Sequence, residues 1–284
     1  MTITMGKAVL RRAAALLLAG CMGILPALGE QMDAVVDVMT TPNPYVDLMP
    51  TEYEKIPDAY NTYEPMGLPE CERVDDSYFD DAVFIGDSVT QKLEFYVKAK
   101  RKEQPDFLGK AKFLAVGSMG SGNVLGKVTS KSLHPTYQGQ KMTVEDAVAA
   151  CGANKVFIML GMNDVYAYGK EKSVEHYATL VNRIREKSPN CKIFVEAVTP
   201  RIKGYDREPT TKSLFEYDQV LYDYVLENRE NDIYYVDVAY AVRDDEVGAL
   251  VREYCSDADG MGIHFTDAGC AVWVDYLYTH ALPQ

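Results

Sequence analysis

The chain has 284 residues, 47% hydrophobic and 25% charged, with a formal net charge of −13. That composition suits a globular protein with a sizeable core, as one large domain or two small ones. So acidic a surface repels phosphate backbones and anionic membranes, which argues against nucleic acid as a partner.

The first segment in chain order is a targeting element. "MTITMGKAVLRR" is short and basic, and "AAALLLAGCMGILPALG" is apolar and ends in small residues before Glu30. Residues 1–29 therefore read as a signal peptide, with Ala27 and Gly29 at the cleavage positions. Gly20 and Pro26 interrupt a run that is already short for a bilayer, so no membrane span is expected. Within it, "LAGC" (Leu18 to Cys21) has the look of a lipobox, which would make Cys21 a lipid anchor. The residues after Cys21 stay apolar, which favours cleavage near Gly29 and a secreted or cell-surface protein, with a lipoprotein as the alternative. Residues 30–75 follow as a proline-rich, acidic linker or a tail lying on the domain, because Pro42, Pro44, Pro50, Pro57, Pro65 and Pro69 break every candidate helix.

Residues 76–284 read as one domain. Five short apolar runs rich in Val, Ile and Phe appear: "AVFIG" (82–86), "KFLAV" (112–116), "KVFIML" (155–160), "KIFVEAV" (192–198) and "IYYVDV" (233–238). Continuous apolar runs of this length are strands buried on both faces. Helical patterns lie between and after them: one capped by Thr143, one starting at Ser173, "SLFEYDQVLYDYVLENRE", and a last one opening at Thr266. Alternating strand and helix with right-handed crossovers predicts an α/β protein, a three-layer α/β/α sandwich on a five-stranded parallel sheet of order 2-1-3-4-5. Its active face is expected at the carboxyl ends of the strands. The cysteines are scattered without CxxC pairing, which indicates neither a zinc site nor a disulfide framework.

The loops at those strand ends hold the chemistry. "FIGDSVT" puts Ser88 between strand 1 and a helix, where on local grounds a helix cap is the commoner reading. "GSMGSGN" (117–123) follows strand 2. It lacks the residues of a phosphate loop and only loosely permits a dinucleotide turn. "GMND" (161–164) follows strand 3, where Asn163 could be a turn residue and Asp164 a cap. His264 lies in "DGMGIHFTDAG" before the last helix, where a lone core histidine is the plain alternative. Together these four loops bring a hydroxyl, an imidazole, acids and amide donors to one sheet edge, the parts that acyl transfer needs.

"GDS", the glycine loop, "GMND" as GxND, and "GIHFT", in that order over residues 80–280 or so, resemble the four blocks of the SGNH hydrolases, the GDSL-type esterases. The resemblance implies a flavodoxin-like sandwich and ester hydrolysis without metal or cofactor. Carried over by position, Ser88 is the nucleophile as well as the helix start, and His264 is the base. The oxyanion hole is the Ser88 amide, Gly120 (with Gly117 and Gly122 as near alternatives) and the Asn163 side chain. The family places its acid three residues before the histidine, which is Met261 here. Asp259 is the chosen replacement, with Asp257 or an acid-free dyad as alternatives. Tyr166, and with it Tyr168, offers a stacking face for a sugar or equally a plain surface aromatic. The expected function is an exported serine esterase acting on O-acyl, in particular O-acetyl, groups of a small-molecule, polysaccharide or cell-envelope substrate. The alternatives are a catalytically weak or inactive carbohydrate-binding protein on the same fold and, further off, a nucleotide-dependent oxidoreductase using the glycine loop.

Overall fold

A computed structural model describes residues 43–51 and 64–284. The signal segment, Cys21 and the rest of residues 1–42 lie outside the described residues, as do residues 52–63.

Strands β1 (Ala82–Gly86), β2 (Lys112–Ala115), β3 (Lys155–Met159), β4 (Lys192–Glu196) and β5 (Ile233–Val236) form one sheet of order β2-β1-β3-β4-β5. Every neighbouring pair is parallel. The order is the expected one, and the strands end one or two residues earlier than the apolar runs after β1. Helices α1 (Ser88–Lys100), α2 (Val144–Cys151), α3 (Met162–Tyr168), α4 (Lys170–Lys187), α5 (Thr211–Glu227), α6 (Val238–Val242) and α7 (Asp267–Thr279) make the connections and outer layers. A two-stranded hairpin, Thr136–Tyr137 with Gln140–Lys141, sits in the long connection from β2 to α2.

An aromatic row fixes the register. Phe113, Phe84, Phe157, Phe194 and Tyr234 are direct cross-strand partners across all five strands. Successive ring centroids lie 5.2, 4.7, 4.4 and 5.5 Å apart. Each such pair adds roughly 0.5–1.5 kcal/mol beyond burial, and a slip of one residue would turn every ring to the opposite face. The strands are thereby aligned so that their carboxyl ends, and the loops that follow, share one edge.

Caps set the helix starts. Thr143, Thr210 and Thr266 accept from the amides of Asp146, Ser213 and Gly269. The expected start of α4 at Ser173 is corrected: the helix begins at Lys170, and Ser173 is buried inside it with its hydroxyl donating back to Gly169 O at 2.6 Å. The polar run Lys170–Glu171–Lys172 masks the first turn in an apolar-periodicity reading, because that turn faces solvent.

Residues 43–51 and 64–75 are part of the compact unit Asn43–Gln284, packed on the domain. Met49, Met66 and Leu68 are buried. Leu68 N donates to Tyr235 O at 2.8 Å, and Gly67 bridges Val236 at the edge of β5. The apolar residues of this segment have no periodicity because they are anchor points on another element's edge. Cys71, Cys151, Cys191, Cys255 and Cys270 are free thiols.

Glu196, at the end of β4, is fully buried and accepts from Trp273 Nε1 at 2.8 Å, while its other carboxyl oxygen has no hydrogen-bond partner. Burial pushes its pKa from 4.5 up to about 8, against the pull of the Trp273 hydrogen bond. Between those values the unfolded chain ionises while the folded one keeps its proton, so stability falls as pH rises. Glu196→Gln should therefore lose less stability than the wild type between pH 5 and pH 9, the difference reaching a few kcal/mol at about 1.4 kcal/mol per pH unit. Urea midpoints at the two pH values measure it, and equal losses in both proteins would show that Glu196 is not the titrating group.

Candidate active site

The site is built where β1 meets α1. Gly86 ends the strand, and Asp87 caps α1, its Oδ1 accepting from Val89 N at 2.9 Å. The cap is therefore Asp87 and not Ser88. Aspartate caps as well as serine does, and this leaves the Ser88 hydroxyl free of capping at the first helical position. Ser88 Oγ lies 3.0 Å from His264 Nε2.

His264 stands in the loop before α7. On its other side, His264 Nδ1 lies 2.7 Å from Asp257 Oδ2. This corrects the choice of Asp259, whose side chain is 98% exposed and reaches only toward Arg252 Nη2 at 3.4 Å. Asp257 Oδ1 also accepts from the Ile263 and His264 amides, each at 3.0 Å, and from Cys255 Sγ at 3.4 Å. Desolvation works against the Asp257 charge, but the hydrogen bonds from His264, Cys255 and Ile263 outweigh it and the carboxyl is held below its usual range. An ionised Asp257 can only accept, so Nδ1 carries the ring proton and Nε2 is left to accept from Ser88. The dyad alternative is thereby displaced. Met261, at the family's usual acid position, is 53% exposed.

The glycine loop after β2 is clasped by Asp164 of α3. Its carboxylate accepts from Ser121 N at 2.9 Å, Ser121 Oγ at 3.1 Å and Gly122 N at 2.8 Å. A Cβ on Gly120 would stand 2.8 Å from an Asp164 oxygen, so only glycine fits. These amides serve an internal carboxylate, which leaves no phosphate cradle and removes the basis of the nucleotide reading. The local alternative of Asp164 as a cap is thereby displaced, since its partners lie 42 and 43 residues away in the chain.

The three groups expected to donate to an oxyanion stand at the same edge. Ser88 N is at the start of α1. Gly120 N donates to Asn123 Oδ1 at 3.1 Å. Asn163 Nδ2 donates to Asp87 Oδ2 at 2.8 Å and to Met119 O at 3.1 Å. Both amides therefore hold internal acceptors in the resting protein. Buried Asp87, with burial raising its pKa to about 6 despite the Val89 amide and His264, joins the Ser88 turn to Asn163. Tyr166 lies three residues after Asn163, on the same side of α3, and is 73% exposed. Tyr168 packs edge-to-face on His176 at 4.7 Å. Among the described residues no group of three or more His, Cys, Asp or Glu side chains gathers to hold a metal ion.

A hydroxyl, an imidazole and a carboxylate in relay at the carboxyl edge of a parallel sheet define a serine hydrolase. The chain matches the GDSL-like Lipase/Acylhydrolase family over residues 84–272 and belongs to it; it is a carboxylic ester hydrolase. No curated protein matches the sequence. Its fold is similar to that of a GDSL-like lipase from Bacteroides thetaiotaomicron, with 16% identity, a TM-score of 0.52, and coverage of 69% of this chain and 85% of that one. A Bacteroides fragilis protein assigned as an acylhydrolase is similar too, with 16% identity, a TM-score of 0.53, and coverage of 69% and 84%.

Asn163→Ala should lower kcat roughly 100-fold or more with little change in KM, because its amide acts on charge that develops only in the transition state. A rise in KM with kcat unchanged would make Asn163 a substrate-binding residue instead.

Proposed function

We propose that the protein is an exported serine esterase that removes small O-acyl groups, acetyl above all, from carbohydrate or cell-envelope substrates through an acyl-enzyme on Ser88. The observation that carries the catalytic part is the relay of Ser88 Oγ, His264 and Asp257 at 3.0 and 2.7 Å. His264 Nε2 takes the Ser88 proton as Oγ attacks the ester carbonyl, and Asp257 stabilises the imidazolium. The tetrahedral oxyanion is received by Ser88 N, Gly120 N and Asn163 Nδ2, the last two exchanging Asn123 and Met119 O for the new charge. His264 then protonates the leaving alcohol, and water, activated by the same ring, resolves the acyl-enzyme.

The carbohydrate part is supported by Tyr166, an exposed ring on the face of α3 that carries Asn163. Export is supported by the layout of residues 1–29. The inactive-protein reading rested on the irregular acid position, and with Asp257 against the ring it loses its motive.

A fluorophosphonate probe should label Ser88 in the wild type, and acetate should be released from O-acetylated polysaccharide with Tyr166→Ala raising KM. Labelling without acetate release would keep the esterase and remove the proposed substrate. The exported protein should begin near Glu30; lipid on Cys21 would establish the lipoprotein alternative.

A further inference from the structure

Two of the three relay groups sit at opposite ends of one loop, Asp257 at its start and His264 at its end. The base of that loop is self-supporting. Gly260 N and Gly262 N donate to Asp257 O at 2.8 and 3.1 Å, and Ser256 N donates to His264 O at 2.8 Å. Its tip is held from outside. Met261 O accepts from Arg201 Nη2 at 2.5 Å, and Gly262 O accepts from Ile202 N at 2.9 Å. Both partners come from the segment between β4 and α5. Gly262 has φ +67°, and a Cβ there would stand 2.3 Å from Ile202 Cγ2, so the two segments meet at contact distance.

Arg201 is only 3% exposed. Its Nη1 donates to Pro209 O at 2.9 Å, and the Tyr205 ring lies with its centroid 3.4 Å from the guanidinium carbon. A buried cation normally demands a carboxylate partner; Arg201 feels the charge of Asp257 and pairs with the Tyr205 side chain, while its Nη1 and Nη2 bridge two backbone carbonyls, one in its own segment and one at the tip of the His264 loop. The planar fork of arginine can span two such acceptors at fixed geometry, which lysine cannot do. Six residues lie between the acid and the base, and a loop of that length keeps conformational freedom unless its tip is fixed.

We propose that Arg201 is a positioning residue for ester hydrolysis: by bridging Pro209 O and Met261 O it braces the loop that holds Asp257 against His264 and His264 against Ser88. It touches no reacting atom and acts through that loop. The proposal rests on the reading of Ser88, His264 and Asp257 given above.

The test is steady-state hydrolysis of p-nitrophenyl acetate by wild type, Arg201→Met, Arg201→Lys, Asp257→Asn and the Arg201→Met/Asp257→Asn double variant, with Ser88→Ala as reference and circular dichroism as the check of folding. Arg201→Met should lower kcat about tenfold or more with KM within about threefold, since misplacement of a relay by a fraction of an ångström is costly. Arg201→Lys, which reaches one carbonyl rather than two, should fall between. In the Asp257→Asn background, Arg201→Met should add less than about a threefold loss, because residues acting as one unit are not additive. A folded Arg201→Met with kcat within about twofold of wild type would overturn the proposal, as would an equal loss in both backgrounds. If Arg201→Met does not fold, Arg201→Lys decides: wild-type kcat overturns the brace and a selective fall in kcat supports it. Near wild-type activity in Ser88→Ala or Asp257→Asn would overturn the relay itself, a result distinct from failure of the brace alone.

Discussion

Ser88→Ala is expected to lower esterase activity by roughly 10⁴-fold or more, while the protein folds as before. The nucleophile is lost outright, and what remains is whatever the oxyanion donors achieve with water. Stability should change by less than about 1 kcal/mol, because the cap of α1 is Asp87 and the Asp87–Val89 bond survives the substitution. Activity on p-nitrophenyl acetate and fluorophosphonate labelling read the first effect; a thermal melt reads the second. A folded Ser88→Ala that keeps most of its activity would remove Ser88 from the mechanism. A large loss of stability would mean that the hydroxyl, not Asp87, closes the helix start.

Asp257→Asn should cost kcat on the order of 10⁴-fold with the backbone little altered. The reason is directional. Asp257 Oδ2 faces His264 Nδ1 at 2.7 Å, and an ionised carboxylate obliges that nitrogen to carry the proton. An amide presenting NH₂ at the same place donates to Nδ1, moves the ring proton to Nε2, and turns the base away from the Ser88 hydroxyl. The remaining amide oxygen can still accept from the Ile263 and His264 amides, so the loop keeps its form. Asp259→Asn, at a side chain 98% exposed, should be silent. Kinetics of the two variants side by side separate the acids, and the reverse pattern would restore Asp259.

The two aspartates show how far local chemistry reaches. "SDADGMGIH" offers two acids near one histidine, and sequence proximity favours Asp259, because fewer residues then have to fold back. Distance along the chain is a poor guide in a loop that closes on itself. Asp257 O accepts from Gly260 N and Gly262 N, which turns the intervening residues outward and carries Asp259 into solvent. Asp87 teaches the complementary point: in "GDS" both polar residues are good caps, and only the strand-to-helix geometry assigns the cap to one and frees the other.

What the sequence by itself determined is the sheet order, the placement of Ser88, the glycine loop, Asn163 and His264 on one edge, and membership of the esterase family. Those follow from short-range signals: apolar runs long enough only for buried strands, helix periodicity between them, and motif residues at the points where one becomes the other. What only the tertiary structure decided is which aspartate faces His264, that Asp164 clasps the glycine loop from α3, that Met49, Gly67 and Leu68 line the β5 edge, and that Arg201 reaches Met261 across 60 residues. Each of these is a polar or apolar partner supplied by a remote segment, and such a partner leaves no periodicity or spacing in the sequence around the residue it serves.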